Sequence, residues 1–364
     1  MHKQSIIIVG PFPPPVTGLS TINERMARKL ISNSINVIKL NTSPGTLKKN
    51  QKYIFKRITS IISASIFLFR YKLDKKTKLY CSVSAQKGKL FEIIFVAIAR
   101  LKMMRIVLHH HSYLYICKKQ LLARILFKIS GKKCVHIVLS NNMDKLLKEK
   151  YKTILNTMLL SNIYFISESQ NIKKHKYNDT IKTIGFLSNI SFEKGIDIFL
   201  KLVTTLRNNG INIISSISGI IYDENVSSFL HSYIENDNSI KYWGSVYGKR
   251  KIDFFNNIDL LVLPSRNEAE PLVVYEAMEN GIPVISYGVG CVSEQIGDNP
   301  DAGLIVDLDD NFVELTSKWI HLRIESPELY AKSCKAALDR YTNLKIASNG
   351  DFEKYYSNII GVNE

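Results

Sequence analysis

The sequence has few cysteines and no long hydrophobic run. Its five cysteines are odd in number and widely spaced, without a C-x-x-C pair or the Cys/His spacing of a zinc site. An apolar, uncharged stretch at residues 58–69 is well short of the roughly 20 residues that a membrane-spanning helix needs. The apolar run at residues 6–9 meets a proline cluster, unlike the longer apolar core of a signal peptide. We therefore expect a cytoplasmic protein with reduced thiols and only peripheral membrane contact.

Acidic residues are scarce in the first half of the chain. Residues 1–160 contain 30 Lys and Arg but only 5 Asp and Glu, whereas residues 161–364 contain 19 and 27, so the net charge of +17 conceals a strongly basic half. Such asymmetry predicts that the first half meets a polyanion, which is nucleic acid, anionic lipid or a phosphorylated substrate.

An anionic membrane surface fits the basic half best. The sequence contains no helix–turn–helix, zinc-finger or aromatic RNA-binding pattern, so we expect no nucleic acid partner. The segment at residues 53–72 is rich in large apolar residues and flanked by cations, and the basic run at residues 74–78 follows it. This pattern is typical of a helix at a membrane surface, and a core helix with a solvated basic edge is the alternative.

The alternation of strand and helix patterns predicts two domains. A chain of 364 residues exceeds one ordinary core, and short β-branched runs alternate with helical patterns along it. This alternation is typical of βαβ units with parallel sheets. We expect an α/β protein with a basic N-terminal domain at residues 1–160, a second domain at 161–345 and a C-terminal helix within 346–364 that packs back on the first domain.

A proline-rich loop follows the first predicted strand. It runs from Gly10 to Gly18 and precedes a helix that Ser20 or Thr21 can cap. A helix N-terminus after a glycine-bearing loop can bind an anion, and a plain β–α connection is the alternative. The prolines lack the N–H donors of a dinucleotide-binding fingerprint, which excludes that reading.

Three consecutive histidines end a predicted strand of the first half. His109, His110 and His111 stand at the edge where ligands collect in open α/β sheets. Because neighbouring side chains of an extended chain alternate in direction, the three cannot all bind one metal ion. We expect one of them to be a site residue, and a plain hydrogen-bonded histidine at a strand end is the alternative.

The second half holds the most informative pattern. Lys194 and Gly195 stand between a strand and a helix, where a lysine can reach a phosphate. Glu268 lies on a polar loop after a buried strand, and Glu276 lies a turn inside the next helix, which Gly281 ends. Carboxylates only accept hydrogen bonds, so one suits sugar hydroxyls and the other the vicinal hydroxyls of a ribose. Acids gathered at a helix N-terminus are the alternative.

A D-x-D sequence at residues 307–309 is the one pattern that matches a metal-chelating motif. It precedes a helix that starts near Phe312, so helix capping is the favoured interpretation. We expect no essential metal ion.

The motif of the second half resembles a known family. The segment EAEPLVVYEAMENGIPVI, with FEKG before it and GCVSE after it, resembles the nucleotide-sugar-binding half of glycosyltransferase family 4, the group 1 retaining enzymes of the GT-B fold. PFPPPVTG resembles the family's first loop and the LSN before Ile163 its interdomain link, so the resemblance covers nearly the whole chain. It implies two doubly wound Rossmann-like domains facing across a cleft, as in bacterial enzymes of cell-surface polysaccharide synthesis.

The resemblance also implies roles for the matched residues. Glu268 addresses the donor sugar and its leaving group, Glu276 the ribose and Lys194 the diphosphate. Gly290 and Glu294 fall on the donor loop.

On the first domain, the resemblance places Thr17 and Gly18 on the acceptor-side loop. It also implies a site histidine, which is His109 or His111. His111 is favoured because Ser112 follows it.

The chain departs from the family pattern at several positions. Asn189 stands where an arginine is usual, so Arg266, Lys249 and the neighbouring Ser265 become further candidates for the donor site. Glu270 stands where an apolar residue is common, and Thr17 and Cys291 stand where a second glycine is common.

The implied activity is transfer of a sugar from a nucleotide diphosphate donor, UDP rather than GDP, to a lipid-linked or oligosaccharide acceptor with retention of configuration. The expected setting is lipopolysaccharide, O-antigen or capsule synthesis at the inner face of the plasma membrane, without a cofactor. One alternative is a GT-B sugar-nucleotide epimerase, which acts on the donor alone. The other is a non-catalytic membrane or nucleic-acid adaptor, whose binding survives loss of residues 161–364.

Overall fold

The computed structural model describes residues 5–46, 51–72, 77–85, 88–166 and 180–361, with the side chains of residues 358 and 360 excepted. The chain forms two compact units. One joins the residues up to Phe165 with those from Ser348 onward, and the other is Ile166–Ala347. Most of the basic run at residues 74–78 lies outside the described residues. None of the helices in these ranges has both the length and the apolar character of a membrane span.

The first unit is built on six strands. They are β1 (Ser5–Gly10), β2 (Asn36–Asn41), β3 (Lys78–Val83), β4 (Arg105–His110), β5 (Val135–Val138) and β6 (Asn156–Leu159). Its helices are α1 (Gly18–Ser32), α2 (Gln51–Arg70), α3 (Lys89–Leu101), α4 (Leu114–Cys117), α5 (Leu121–Ser130) and α6 (Asn141–Lys150). All strands are parallel, in the order β2-β1-β3-β4-β5-β6.

The second unit has the same layered plan. Its strands are β7 (Thr183–Leu187), β8 (Ile214–Ser218), β9 (Ile240–Tyr242), β10 (Leu260–Leu263), β11 (Val284–Tyr287) and β12 (Gly303–Val306). Its helices are α7 (Ile196–Asn208), α8 (Glu224–Asn236), α9 (Lys249–Asn256), α10 (Leu272–Glu279), α11 (Val292–Ile296), α12 (Phe312–Glu325) and the start of α13 (Pro327–Tyr355). All strands are parallel, in the order β12-β11-β10-β7-β8-β9.

The prediction of an α/β protein with two doubly wound parallel sheets is thus confirmed. The central strands β1, β3, β10 and β11 are buried along their whole length. Helices cover both faces of such sheets, so these strands are mostly apolar and do not alternate between apolar and polar residues.

The segment expected to link the two domains contributes to the first unit. It includes β6, which pairs with β5, and a short 3-10 helix at Asn162–Phe165. Ile163 and Phe165 are buried there, and Arg25 of α1 donates a hydrogen bond to the Phe165 carbonyl at 3.0 Å.

Thr17, and not Ser20 or Thr21, caps helix α1. The Thr17 hydroxyl accepts a hydrogen bond from Ser20 N at 3.1 Å, and the Ser20 hydroxyl accepts one from Thr17 N at 2.8 Å. This reciprocal pair is a capping box, so helical geometry already begins at Gly18.

The helix expected within residues 346–364 is the end of a longer helix. Helix α13 runs for 29 residues from Pro327 to Tyr355 without a break at Gly350, and a π-helical turn at Tyr356–Gly361 follows. Its last turns belong to the first unit, where Phe352 stacks on Tyr164 with ring centroids 4.2 Å apart.

The acids at residues 307–309 do not cap the helix that follows them. Asn311 is the cap of α12, because its side chain accepts a hydrogen bond from Glu314 N at 3.3 Å. Helix α12 begins at Phe312, as predicted.

Buried histidines form part of the first unit's core. His110 Nδ1 lies 2.8 Å from the Tyr115 hydroxyl, and His110 Nε2 lies 2.9 Å from His136 Nδ1. Burial lowers the pKa of His109 and His110 well below the usual 6.5 and that of His136 to about 3. These rings are therefore neutral near neutral pH, because the interior disfavours the imidazolium form.

Acidification should destabilise the first unit. Unfolded histidines take up a proton near pH 6.5 and the buried ones do not, so their stabilising contribution is full above pH 6.5 and is lost as the pH falls toward 3. Each of the three, and also His111, whose pKa burial lowers to about 3, costs about 1.4 kcal/mol per pH unit below 6.5. Glu92 acts in the opposite direction: burial raises its pKa to about 7, so its protonation on acidification stabilises the folded first unit. This gain offsets the loss from about one histidine.

A comparison of circular dichroism with tryptophan fluorescence tests whether the acid destabilisation occurs in the first unit. Both tryptophans, Trp243 and Trp319, lie in the second unit, so fluorescence does not follow the first. Between pH 7.5 and 5.5 we expect a denaturant transition seen by circular dichroism to move to lower denaturant, whereas the fluorescence transition stays in place. His136→Gln should reduce the pH dependence. A circular dichroism profile that is independent of pH would contradict the prediction.

Candidate functional site

The carboxyl edge of the second sheet is the place where its topology opens a crevice. The strand order reverses beside β7, because β8 and β9 lie on one side of it and β10 to β12 on the other. Loops that leave β7 and β10 therefore begin side by side at one edge, and ligands of open α/β sheets bind at such a point. Lys194 follows β7, and Ser265, Arg266 and Glu268 follow β10.

An ion pair joins these two loops. Lys194 Nζ lies 2.7 Å from Glu268 Oε1 and donates to the Asn267 carbonyl at 3.0 Å. The two side chains keep 24% and 11% of their surface exposed, so both remain accessible to a ligand. An ammonium group has three N–H donors, and these two contacts leave the third for a ligand.

Gly195 explains how the loops come so close. Its φ of +81° lies in the left-handed region, and an added Cβ would stand 2.1 Å from the Pro264 carbonyl oxygen. Only glycine fits this approach, which holds the preceding Lys194 against the loop after β10.

A second glycine, Gly290, packs against the backbone of the Glu268 loop. Gly290 has φ +62°, and a Cβ there would lie 2.4 Å from the Glu268 carbonyl oxygen and 2.7 Å from that of Ala269. The adjacent Cys291 N donates to the Ala269 carbonyl at 2.7 Å. The loop after β11, which the resemblance identifies as the donor loop, thus packs directly on the Glu268 loop. Glu294 lies in the first turn of α11 and is partly exposed.

Glu276 and Ser265 complete the polar lining at this edge. Glu276 Oε2 is 2.6 Å from Lys251 Nζ, and the carboxylate side chain is 16% exposed. Ser265 is fully buried, and its hydroxyl finds no hydrogen-bond partner within the described ranges. Neither α7 nor α10 has a side-chain cap in this part of the chain, so their first N–H groups add positive partial charge.

Arg266 has a partner that the sequence did not indicate. Its guanidinium makes a bidentate contact with Asp197 at 3.0 and 2.8 Å, which raises the arginine pKa further. Asn189 and Lys249 are exposed on the loop after β7 and at the start of α9. Glu270 is buried and accepts a hydrogen bond from the Tyr275 hydroxyl at 2.6 Å, which satisfies an acid at a position where the family commonly has an apolar residue.

The candidate residues of the first unit differ in exposure. His109 is wholly buried beside the Tyr80 hydroxyl, whereas His111 is partly exposed with a buried Nε2 that has no partner among the described residues. Burial lowers the pKa of His111 to about 3. Thr17 is occupied in the α1 cap, and Gly18 has open space around its Cβ position, so neither packing nor φ demands glycine there.

The candidate metal ligands are distributed as follows. No group of three or more His, Cys, Asp and Glu with suitable spacing occurs in the portion of the chain that is described. The rings of His109 and His111 are 3.9 Å apart, while His110 points to the opposite face toward His136.

The fold defines the class of protein. Sucrose-phosphate synthase of Thermosynechococcus elongatus matches with a TM-score of 0.73 and 14% identity over 98% of this chain and 99% of its own. HepE of Anabaena, determined in complex with UDP, matches with a TM-score of 0.70 and 14% identity over 97% and 99%. The architecture is that of GT-B glycosyltransferases.

Sequence comparison finds similarity to glycosyltransferases. Residues 167–337 match the profile of group 1 glycosyl transferases. An uncharacterized glycosyltransferase of Haemophilus influenzae is 24% identical over 82% of this chain and 79% of its own length. The lipopolysaccharide core biosynthesis mannosyltransferase LpsB of Rhizobium meliloti is 41% identical over 16% of this chain and 17% of its own. Nearly half of the chain, in the second unit, thus matches the group 1 glycosyl transferases, and the fold of the chain is that of GT-B glycosyltransferases.

Gly290→Ala should destabilise the second unit and disturb the Glu268 loop. The left-handed φ and the contacts at 2.4 and 2.7 Å together should cost about 1–3 kcal/mol of unfolding free energy. Gly210→Ala is the matched control, because Gly210 has φ +80° but nothing within 4 Å of its Cβ position. Tryptophan fluorescence during denaturation measures both variants. Equal losses would mean that backbone strain, and not loop contact, sets the cost.

Proposed function

We propose that this protein is a retaining glycosyltransferase that moves a sugar from a UDP-sugar to a lipid-linked glycan during synthesis of a bacterial surface polysaccharide. The observation that carries the proposal is the Lys194–Glu268 pair at the β7/β10 crevice, with Glu276 on the helix that follows. The site thus offers a cation for a diphosphate and two carboxylates that accept hydrogen bonds from hydroxyls. These three groups lie on the loop after β7, on the loop after β10 and on helix α10.

The donor diphosphate binds through Lys194 and helix N-termini. The free N–H of the Lys194 ammonium and the uncapped starts of α7 and α10 stabilise the negative charge that grows on the leaving diphosphate. These groups do the work that a divalent metal does in other transferases, so activity should need no metal ion. Glu276 takes the ribose hydroxyls and Glu268 the hydroxyls of the sugar.

A uridine donor and a polysaccharide product have support from the related proteins. HepE has nearly the same extent as this chain and binds UDP in its crystal structure. LpsB, similar over a short segment, acts in lipopolysaccharide core synthesis. Retention follows the family pattern, in which the acceptor hydroxyl attacks from the face that the diphosphate leaves. For His111, Thr17 and Gly18 we propose the site and acceptor-side roles that the resemblance implies.

Helix α2 supports contact with an anionic membrane. Its inward side buries Ile61, Ala64 and Leu68, yet seven other large apolar side chains are exposed, namely Ile54, Phe55, Ile58, Ile62, Ile66, Phe67 and Phe69. The same helix exposes Lys52, Lys56 and Arg70. Apolar side chains that enter the interface beside cations that meet lipid phosphates are typical of interfacial helices, and each cation adds about 1 kcal/mol.

Nucleotide binding tests the donor site. UDP and UDP-sugars should raise the unfolding temperature of the second unit by several degrees at saturating concentration, and GDP should do so less. Glu276→Gln should weaken UDP binding at least tenfold, because a ribose hydroxyl loses a charged acceptor. Glu235→Gln on α8, at an exposed position, is the control. EDTA should leave binding unchanged. If no nucleotide stabilises the protein, or if Glu276→Gln binds UDP normally, the proposal fails. Turnover of UDP-sugar alone to an epimeric UDP-sugar would favour the epimerase.

Vesicle sedimentation tests the membrane component. The protein should bind vesicles rich in phosphatidylglycerol and not pure phosphatidylcholine, and salt should weaken binding. Ile58→Asp with Ile62→Asp should reduce binding at least tenfold, because each buries apolar surface in the interface. Leu322→Asp, 54% exposed on α12 of the second unit, is the matched control. Equal binding of all variants would remove α2 from the membrane interface.

A further inference from the structure

A cavity in the first unit occupies a position like that of the donor crevice. The order β2-β1-β3 reverses beside β1, and a cavity of about 240 Å³ opens where β1 and β3 end. The ends of the two strands, the loop up to Thr17 and the inner sides of α2 and α3 enclose it. Pockets for drug-sized ligands measure roughly 300–1,000 Å³, so this one fits a single ring rather than a whole nucleotide.

A buried carboxylate with an unused oxygen lines the cavity. Glu92 of α3 is only 7% exposed, and its Oε1 accepts a hydrogen bond from Ser84 N at 2.8 Å. Oε2 is buried and meets no hydrogen-bond donor of suitable geometry among the described residues. A buried carboxylate oxygen without a donor is costly, so this atom indicates a ligand that supplies one.

An arginine and aromatic rings complete the lining. Arg57 of α2 donates to the Tyr53 hydroxyl at 2.8 Å and lies over the Phe91 ring, 5.7 Å from its centroid. These contacts hold the guanidinium at the cavity wall and leave further N–H donors for a ligand oxygen. Phe91 and Phe95 supply apolar surface in the same wall.

A sugar ring matches this combination. Each hydroxyl both donates and accepts hydrogen bonds, so it can donate to a carboxylate and accept from a guanidinium, while its C–H faces pack on apolar surface. A phosphate matches less well, because its oxygens act mainly as acceptors and do not supply the donor that Glu92 Oε2 lacks.

We propose that this cavity binds the terminal sugar ring of the acceptor glycan, one hydroxyl of which donates to Glu92 Oε2 and accepts from Arg57. The inference rests on the proposed transferase function and adds the acceptor's recognition group to it. Helix α2 links the sugar-binding cavity to the proposed membrane-binding surface, because its inner side lines the cavity while its outer side carries the exposed apolar residues. A lipid anchor in the membrane would then lie near the bound sugar.

Ligand-observed NMR with the full chain tests this site. The probes are the methyl α- and β-glycosides of glucose, galactose, mannose and N-acetylglucosamine, added in the presence of saturating UDP-glucose. At least one glycoside should show saturation transfer. Glu92→Gln should weaken its binding tenfold or more, whereas Glu149→Gln, at an exposed position of α6, should not change it.

A second variant keeps the test decisive. Because Glu92 is buried, Glu92→Gln can fail to fold, so Arg57→Gln at the half-exposed wall should weaken the same glycoside as well. Binding that depends on Glu268 instead of Glu92 would place the glycoside in the donor site and overturn the proposal. Failure of every glycoside while UDP still binds would also overturn it and leave the transferase function intact. Loss of UDP binding with Glu92-dependent glycoside binding would contradict the transferase function alone.

Discussion

Parallel strand order is the constraint on which the rest of this molecule depends. In each sheet the chain starts at an inner strand, β1 or β7, and then adds strands on both sides of it. Two neighbouring strands therefore send their following segments to opposite faces of the sheet, and a crevice is left between them. In the second unit that crevice holds Lys194 and Glu268, and in the first it holds the cavity lined by Glu92.

Backbone contact turns the crevice of the second unit into a precise arrangement. Gly195 lies against Pro264 and Gly290 lies against Glu268 and Ala269, each too closely for any side chain. The three loops therefore pack on one another where a glycine, which has no Cβ atom, lies against carbonyl oxygens. This packing fixes the positions of the charged side chains on the loops. In the reaction that we propose, such preorganisation lets fixed charges stabilise a developing diphosphate without rearranging.

Much of this was predictable, for identifiable reasons. The alternation of strand and helix patterns predicts the parallel sheets, and the resemblance to group 1 glycosyltransferases implies that Lys194 and Glu268 belong to one donor site. Contacts between distant segments were not predictable, because no local pattern encodes them. The Asp197 partner of Arg266 and the Lys251 partner of Glu276 belong to this class. Glu92 did leave a signal, since it is the one acid in the apolar helix sequence KLFEIIFVAIARL. An acid so surrounded is either exposed or buried, and only the structure shows that Glu92 is buried.

The path of α13 has a consequence for how the protein is made. The second unit is continuous from residue 166 to 347, whereas the first needs residues from both ends of the chain. Phe352 and Tyr355 enter its core and are translated only after the whole of the second unit. The first unit therefore cannot complete its core until the second unit has been synthesised, although its sheet is translated first. For the same reason a fragment that ends at residue 160 lacks two core aromatic rings and is an unsuitable test of an adaptor.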